Sequence, residues 1–327
     1  MNLKFKSISQ EAIDSMTNVS ANPFNSSGVT PSITACEELI CDITSHSYSH
    51  IVNSGNSAIM IAMNAIDGPI LIPNQGGWRG VKKIASLLNK DLIELPTYRG
   101  IIEKDIFEEF LNNLNVVPKA LFLTSFAGYT AEQSVKELFD ICCDNNIILI
   151  EDVSGSISDP LKRLCNGNHN HIIVGSTGSP KLVNVGYGGF ISFSDENILK
   201  KSSFLIKMLK CDPISSAGII EELKLSRYNL SKLLDAVSFL KNKIKKPVIH
   251  RDFRGINVIV SSDNPKKDAY LLREKLVLDN GRSMITRCPT YDRLKEKAVC
   301  LEIKNLDTSC LIKKNLKEIR NIVDSID

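Results

Sequence analysis

The chain has 327 residues, 43% of them hydrophobic and 24% charged, with 18 Gly and 12 Pro; this excludes disordered, collagen-like and low-complexity classes and leaves material for a sizeable core. Its formal charge of +3 is unevenly spread, because residues 200–327 carry 27 Lys and Arg against 16 Asp and Glu while residues 1–199 carry 13 against 21. The basic residues are dispersed with little aromatic company, so solvated lysines explain the excess better than a nucleic-acid surface, which stands as the lesser expectation. No run reaches the ~18 apolar residues of a membrane span, and the lysines of the first ten residues lead into no apolar stretch; no membrane partner and a cytoplasmic location are expected. The nine cysteines include no C-x-x-C pair and read as reduced thiols, mostly in the core. Cys165, His169 and His171 sit in an Asn- and Gly-rich stretch that reads as a solvated loop, so no metal is expected.

From residue 49 to 200, short apolar runs alternate with amphipathic stretches. Strands are expected at 49–53, 69–73, 92–95, 120–125, 147–151 and 172–175, as central members of a mostly parallel sheet. Helical periodicity at 58–66, 81–88, 104–114 and 132–145 supplies the crossovers. The run at 189–193 follows too closely for a crossover helix, which predicts a loop or an antiparallel strand. Residues 197–245 read as long and helical, with a break near Asp212-Pro213 and an end at Lys245-Lys246-Pro247. Strands at 256–261 and 298–303 and helices at 266–278 and 309–326 form a smaller C-terminal α/β unit, giving a large domain over 1–245 and a small one over 246–327.

Four features stand at or just beyond strand ends: Ser54-Gly55-Asn56-Ser57-Ala58, Trp78, Glu151-Asp152, and Ser176-Thr177-Gly178-Ser179-Pro180-Lys181. In an open parallel sheet such ends face one crevice. The first is a strand-to-helix turn whose N–H groups, small side chains and helix dipole suit a phosphate, although N-capping alone would use the same residues. Asp152 emerges from the apolar run Ile147-Ile148-Leu149-Ile150 and needs a cation or donors. Lys181 is not a P-loop lysine, since Pro180 and Leu182 flank it where that motif requires Gly and Ser or Thr.

In this order the features resemble a fold type I pyridoxal 5'-phosphate (PLP) enzyme, and in particular the DegT/StrS aminotransferases that act on nucleotide-linked sugars. Cys36-Glu37-Glu38-Leu39 leading to Ile51-Val52-Asn53-Ser54-Gly55-Asn56-Ser57-Ala58 is similar to that group's acidic helix and S-G-T-x-A-L turn. Phe126-Ala127-Gly128-Tyr129-Thr130-Ala131-Glu132 resembles its strand-exit segment, Ile150-Glu151-Asp152 its acidic strand end, and residues 176–181 with Gly186-Tyr187-Gly188-Gly189 its lysine loop. The resemblance covers residues 35–195 and implies a fold type I PLP-transferase-like α/β fold and an aminotransferase using a small-molecule amino donor and acceptor. It further implies a Schiff base on Lys181, Asp152 as partner of the pyridine nitrogen, and a homodimer. Ser54, Gly55, Asn56, Ser57 and Ser176 would then hold the phosphate, and Trp78 would stack on the ring. Three departures stand out: Gly155 replaces a Gln that usually contacts the ring, the chain is short for the group, and the tail with Cys288-Pro289-Thr290-Tyr291-Asp292-Arg293 does not align with it. Arg254, Arg287 and Arg293 are candidate carboxylate clamps, with surface ion pairs as the plainer reading. Alternatives are a carbon–sulfur lyase, conversion of a tRNA-linked amino acid, or a PLP-fold binding or regulatory protein without turnover.

Overall fold

Residues Ala120–Thr124 are buried at all five positions, and a strand with no wet face belongs in the middle of a sheet covered on both sides. The computed structural model, which describes residues 2–24 and 30–326, builds that sheet from alternating elements. Two helices, α1 (Gln10–Ala21) and α2 (Pro31–Thr44), precede β1 (Tyr48–Val52), α3 (Gly55–Ala65), β2 (Ile70–Pro73), α4 (Gly80–Leu87), β3 (Leu92–Leu95) and α5 (Lys104–Asn112). Next come β4 (Ala120–Thr124), a hairpin of β5 (Phe126–Ala127) and β6 (Ala131–Glu132), α6 (Val135–Asp144), β7 (Ile148–Asp152), β8 (Ile172–Ser176) and β9 (Gly189–Phe193). Two helices, α7 (Ser203–Met208) and α8 (Pro213–Lys243), lead to β10 (Val248–Ile249), β11 (Val258–Ser261), α9 (Pro265–Lys275), β12 (Ile285–Arg287), β13 (Ala298–Leu301) and α10 (Lys313–Asp324).

The large sheet has the order β1-β9-β8-β7-β4-β2-β3. Its pairs from β8 to β3 are parallel, and β9 is antiparallel to both β8 and β1. Residues 177–188 therefore loop out from the carboxyl end of β8 and return directly, carrying Lys181 over the strand ends. The strands expected at 49–53 and 92–95 are the two edges rather than central members, and their half-exposed positions show why: Tyr48 and Glu94 face water. The helix expected at 132–145 starts at Val135, because Ala131 and Glu132 pair back onto Ala127 and Phe126.

Alternation along the strands divides the core in two. Leu121, Leu123 and Leu149 join the cluster under α5, α6 and α8, whereas Phe122, Ile150 and Val174 join the cluster under α3 and α4. Asp212 caps α8 by accepting a hydrogen bond from Ser215 N (2.8 Å), and Pro213 occupies the first turn where its missing N–H costs nothing; this accounts for the break expected there. Leu230, Val237 and Leu240 of α8 share one hydrophobic cluster with Val258 and Leu301 of the second sheet, which is antiparallel in the order β10-β11-β13-β12. Among the described residues no helix is long and apolar enough to cross a membrane.

One buried lysine ties these parts together. Lys241, near the end of α8 and 1% exposed, donates to the carbonyls of Thr130 (2.6 Å), His250 (2.7 Å) and Phe253 (2.8 Å). Burial pushes its pKa down to about 7, while three acceptors match the three protons of the ammonium. Lys241→Met would keep the packing but remove the donor from the Thr130 and Phe253 carbonyls and leave His250 O with Phe253 N alone, and we expect a loss of about 3 kcal/mol, read as a lower midpoint in chemical denaturation.

Candidate active site

Helix α3 begins where β1 ends. Ser54 has extended backbone angles, and its Oγ accepts a hydrogen bond from Ser57 N (3.1 Å), so it closes one of the turn's open donors. Ala58 N bonds to Ser54 O, whereas the N–H of exposed Asn56 has no partner within the helix. Gly55 is required by close approach: a Cβ there would lie 2.5 Å from Ser176 Cβ, and one on Gly189 would lie 2.5 Å from Gly55 N. The turn is thus pressed against the ends of β8 and β9.

The end of β7 supplies the acid. Asp152 is 4% exposed, and its Oδ1 accepts from both the backbone N (3.0 Å) and Oγ (2.6 Å) of Ser154. Ser154 Oγ in turn accepts from Ser176 N (2.9 Å), linking the ends of β7 and β8, while Ser176 Oγ accepts from Gly178 N (3.3 Å). Glu151 points to the opposite face, as strand alternation requires. It is wholly buried and accepts from Ser125 Oγ (2.6 Å), Asn170 Nδ2 (2.7 Å) and Cys165 N (3.2 Å); burial raises its pKa to about 7 against those donors.

Lys181 Nζ donates to the Tyr129 hydroxyl at 3.2 Å and lies 5.8 Å from the centre of the Trp78 ring. Burial works against its charge, but Tyr129 and the Asp152 carboxylate outweigh that and raise its pKa. Trp78 is 37% exposed, and its Nε1 donates to Asn56 Oδ1 (3.0 Å). Ser54, Gly55, Asn56, Trp78, Asp152, Ser176 and Lys181 line one cleft of about 230 Å³. Ser57 does not: its hydroxyl is turned back to Asn53 Oδ1 (2.5 Å).

Sequence reasoning missed Ser154 and gave Tyr129 no role. A Ser two residues beyond an acidic strand end is the available signal for the first, since it can reach back to the carboxylate. Tyr129 sits in the tight turn between β5 and β6 at a φ of 64°, a left-handed conformation unfavourable for a bulky residue. Ile256 N (2.8 Å) and Asn257 N (2.9 Å) both donate to its carbonyl and hold it there. Its ring faces Arg293 at 4.8 Å and Lys304 at 5.1 Å. At Gly155 any side chain would meet Ile256 Cδ1 at 2.6 Å and the Tyr129 ring at 3.4 Å, so these two residues occupy the place of the absent Gln.

None of the three arginines lines the cleft. Arg254 pairs with Glu132 (2.7 Å) and with Asp159. Arg287 is exposed on the edge strand β12. Arg293 forms a two-pronged bond to Glu302, Nε to Oε1 and Nη2 to Oε2, both 2.8 Å, with Lys304 Nζ 3.7 Å from Oε2. Cys165 is buried in the core, and His171 packs on Phe139 with ring centres 5.0 Å apart. Seven of the nine cysteines are buried.

Each part of PLP finds a counterpart in this cleft: helix-start N–H groups and serine hydroxyls for the phosphate, a carboxylate for the pyridine nitrogen, an indole for the ring, and an amine for the aldehyde. The fold is that of a fold type I PLP enzyme. The chain belongs to the DegT/DnrJ/EryC1/StrS aminotransferase family, whose model matches residues 6–212, up to the cap of α8. These enzymes are PLP-dependent aminotransferases. Residues 227–324 match a second model, the MJ1341 family C-terminal domain.

The fold extends over nearly the whole chain in solved structures. Helicobacter pylori PseC, an aminotransferase involved in the biosynthesis of pseudoaminic acid, is 13% identical with a TM-score of 0.77, covering 99% of this chain and 98% of that one. The aminotransferase TlmJ from Streptoalloteichus hindustanus is 12% identical with a TM-score of 0.77 over 99% and 98%. Sphingomonas wittichii serine palmitoyltransferase is 11% identical with a TM-score of 0.74 over 99% and 86%.

Behind the cleft, the Glu302 carboxylate carries a pH signature. Burial alone would raise its pKa, but Arg293 and Lys304 reverse this and hold it at about 2. An unfolded Glu titrates near about 4.3, so the unfolded state binds more protons between those values. The resulting stability is present above pH ~4.3 and lost as pH falls towards 2. Glu302→Gln strands buried Arg293; it is expected to cost about 3 kcal/mol at pH 7 and to flatten the acid decline, as followed by denaturation at several pH values.

Proposed function

We propose that this protein moves an amino group between a small-molecule amino donor and a carbonyl acceptor of the nucleotide-linked sugar class, with Lys181 attaching the cofactor and Asp152 facing its ring nitrogen. What carries the reading is the convergence of Lys181, Asp152, Trp78 and the first turn of α3 on one cleft, although they come from four separate strand ends. Family membership supports the substrate class. The cytoplasm as location, a homodimer as the working unit, and a division near residue 245 between a large and a small domain belong to the same proposal.

PLP would supply an aldehyde that carries the amino group and a ring that withdraws electrons from the reacting carbon. The chain supplies position and protons. The start of α3, with Ser54 and Ser176, binds and orients the phosphate end. Asp152, whose Oδ1 is engaged by Ser154, lines the cleft and keeps a proton on the pyridine nitrogen. Trp78 covers the ring and limits water at the mouth. Lys181 Nζ, steered by the Tyr129 hydroxyl, takes and returns the proton at the substrate carbon that bears nitrogen.

The test is an absorbance titration with PLP, borohydride reduction and peptide mapping of the product. A visible band, bleached by borohydride and mapped to Lys181, is the expected result; no adduct, or one on another lysine, overturns the assignment. Lys181→Ala should abolish both attachment and turnover. Asp152→Asn should retain part of the cofactor binding while lowering turnover by about a hundredfold or more, and unchanged rates would remove Asp152 from the chemistry.

A further inference from the structure

The segment Cys288-Pro289-Thr290-Tyr291-Asp292-Arg293, expected only to offer Arg293 as a carboxylate clamp, lies in the connection from β12 to β13 in the small sheet. In the structure this connection grips the residues that follow β2. Gly76 N donates to Tyr291 O (2.8 Å), and the Tyr291 hydroxyl donates to Pro73 O (3.0 Å). Lys295 N donates to Gln75 Oε1 (2.7 Å). Arg79 is held most firmly: its backbone N donates to Asp292 Oδ1 (2.8 Å), its Nε to Oδ2 of the same carboxylate, and its Nη2 to Thr290 Oγ1 (3.1 Å).

Trp78 stands between these held residues. It is 37% exposed; its Nε1 bonds to Asn56 Oδ1, and a ring carried on a surface segment also needs that segment fixed. The neighbouring glycines record how tightly this is done. A Cβ on Gly77 would lie 3.1 Å from the Tyr291 hydroxyl, and one on Gly80 would lie 2.2 Å from Trp78 Nε1.

We propose that Asp292 is a positioning residue for the active site: from the small sheet, through Arg79, it sets where Trp78 stands over the cleft that holds Lys181. The role assigned to Trp78 rests on the PLP reading of that cleft. Asp292 acts at second hand, because it bonds Arg79 rather than any group lining the cleft. A carboxylate suits the task since one group satisfies both the backbone N–H and the guanidinium of the same residue. The Arg79 side chain is 57% exposed against 14% for Asp292, so water screens the pair and the effect is moderate.

Trp78 is the single tryptophan of the chain, so indole fluorescence reports this wall alone. In the full-length protein without added cofactor, Asp292→Asn is expected to shift the emission to the red and to increase acrylamide quenching about twofold, with PLP then binding about fivefold more weakly. Glu296→Gln removes the ion pair to Arg99 (3.5 Å) from the same connection and should change neither quantity. Thermal melting of each variant distinguishes a local shift from unfolding, and Arg79→Gln carries the same comparison should Asp292→Asn melt too low. Wild-type emission and quenching in folded Asp292→Asn or Arg79→Gln would overturn the proposal. Failure of the wild type to bind PLP would refute the reading of the cleft, while the fluorescence comparison would still decide the role of Asp292.

Discussion

A carboxylate at the end of a buried parallel strand is the constraint around which this site is arranged. Asp152 cannot sit almost fully buried without donors, and Ser154 provides two of them. Ser154 also accepts from Ser176 N, so satisfying the acid simultaneously fixes the end of the next strand, the root of the loop that carries Lys181. Gly55 lets α3 press against that same serine. Acid, loop and anion cup are therefore one mechanical unit, and charge satisfaction at β7 is what registers the others.

The second half of the chain contributes walls rather than chemistry. The tight turn at Tyr129 is held by backbone donors from Ile256 and Asn257, and its ring is faced by Arg293 and Lys304, whose charges are balanced by Glu302. The connection between β12 and β13 holds the segment carrying Trp78. Both aromatic neighbours of Lys181, Trp78 beyond β2 and Tyr129 in the β5–β6 hairpin, are thus set from the side of the small sheet. Lys241 reinforces the arrangement by joining Thr130, just after Tyr129, to the turn at 250–253. The excess of positive charge in residues 200–327 is partly spent in such internal pairs, which is a different use from a surface for nucleic acid.

The departures from the family pattern acquire a physical meaning here. Gly155 is not simply a lost contact, because Ile256 and Tyr129 fill the space a longer side chain would need. The tail segment 288–293 is likewise not an appendage, since it touches the large sheet's strand-end loops at several points.

Much of this was legible in the sequence, for reasons of periodicity and local bonding. Apolar runs such as 120–125 and 147–151 read as strands, the Asp212-Pro213 pair as a break in the helical stretch, and the order of turn, indole, acid and lysine along the chain resembled the family to which the chain belongs. Which strand lies at an edge was not read from the sequence, since neighbours across a sheet are remote in sequence, although the polar Ser49, His50 and Glu94 are local signs of it. The sequence could not assign partners either. Arg254, Arg287 and Arg293 are equivalent letters, yet one joins two carboxylates, one faces water and one is locked to Glu302 beside Tyr129. Ser57 turned back to Asn53 while Ser54 and Ser176 line the cleft. Local rules determined the elements and the chemistry they could carry; long-range packing decided which side chains were left free to use it, because a hydrogen bond or ion pair is settled by what the fold brings within about 3 Å.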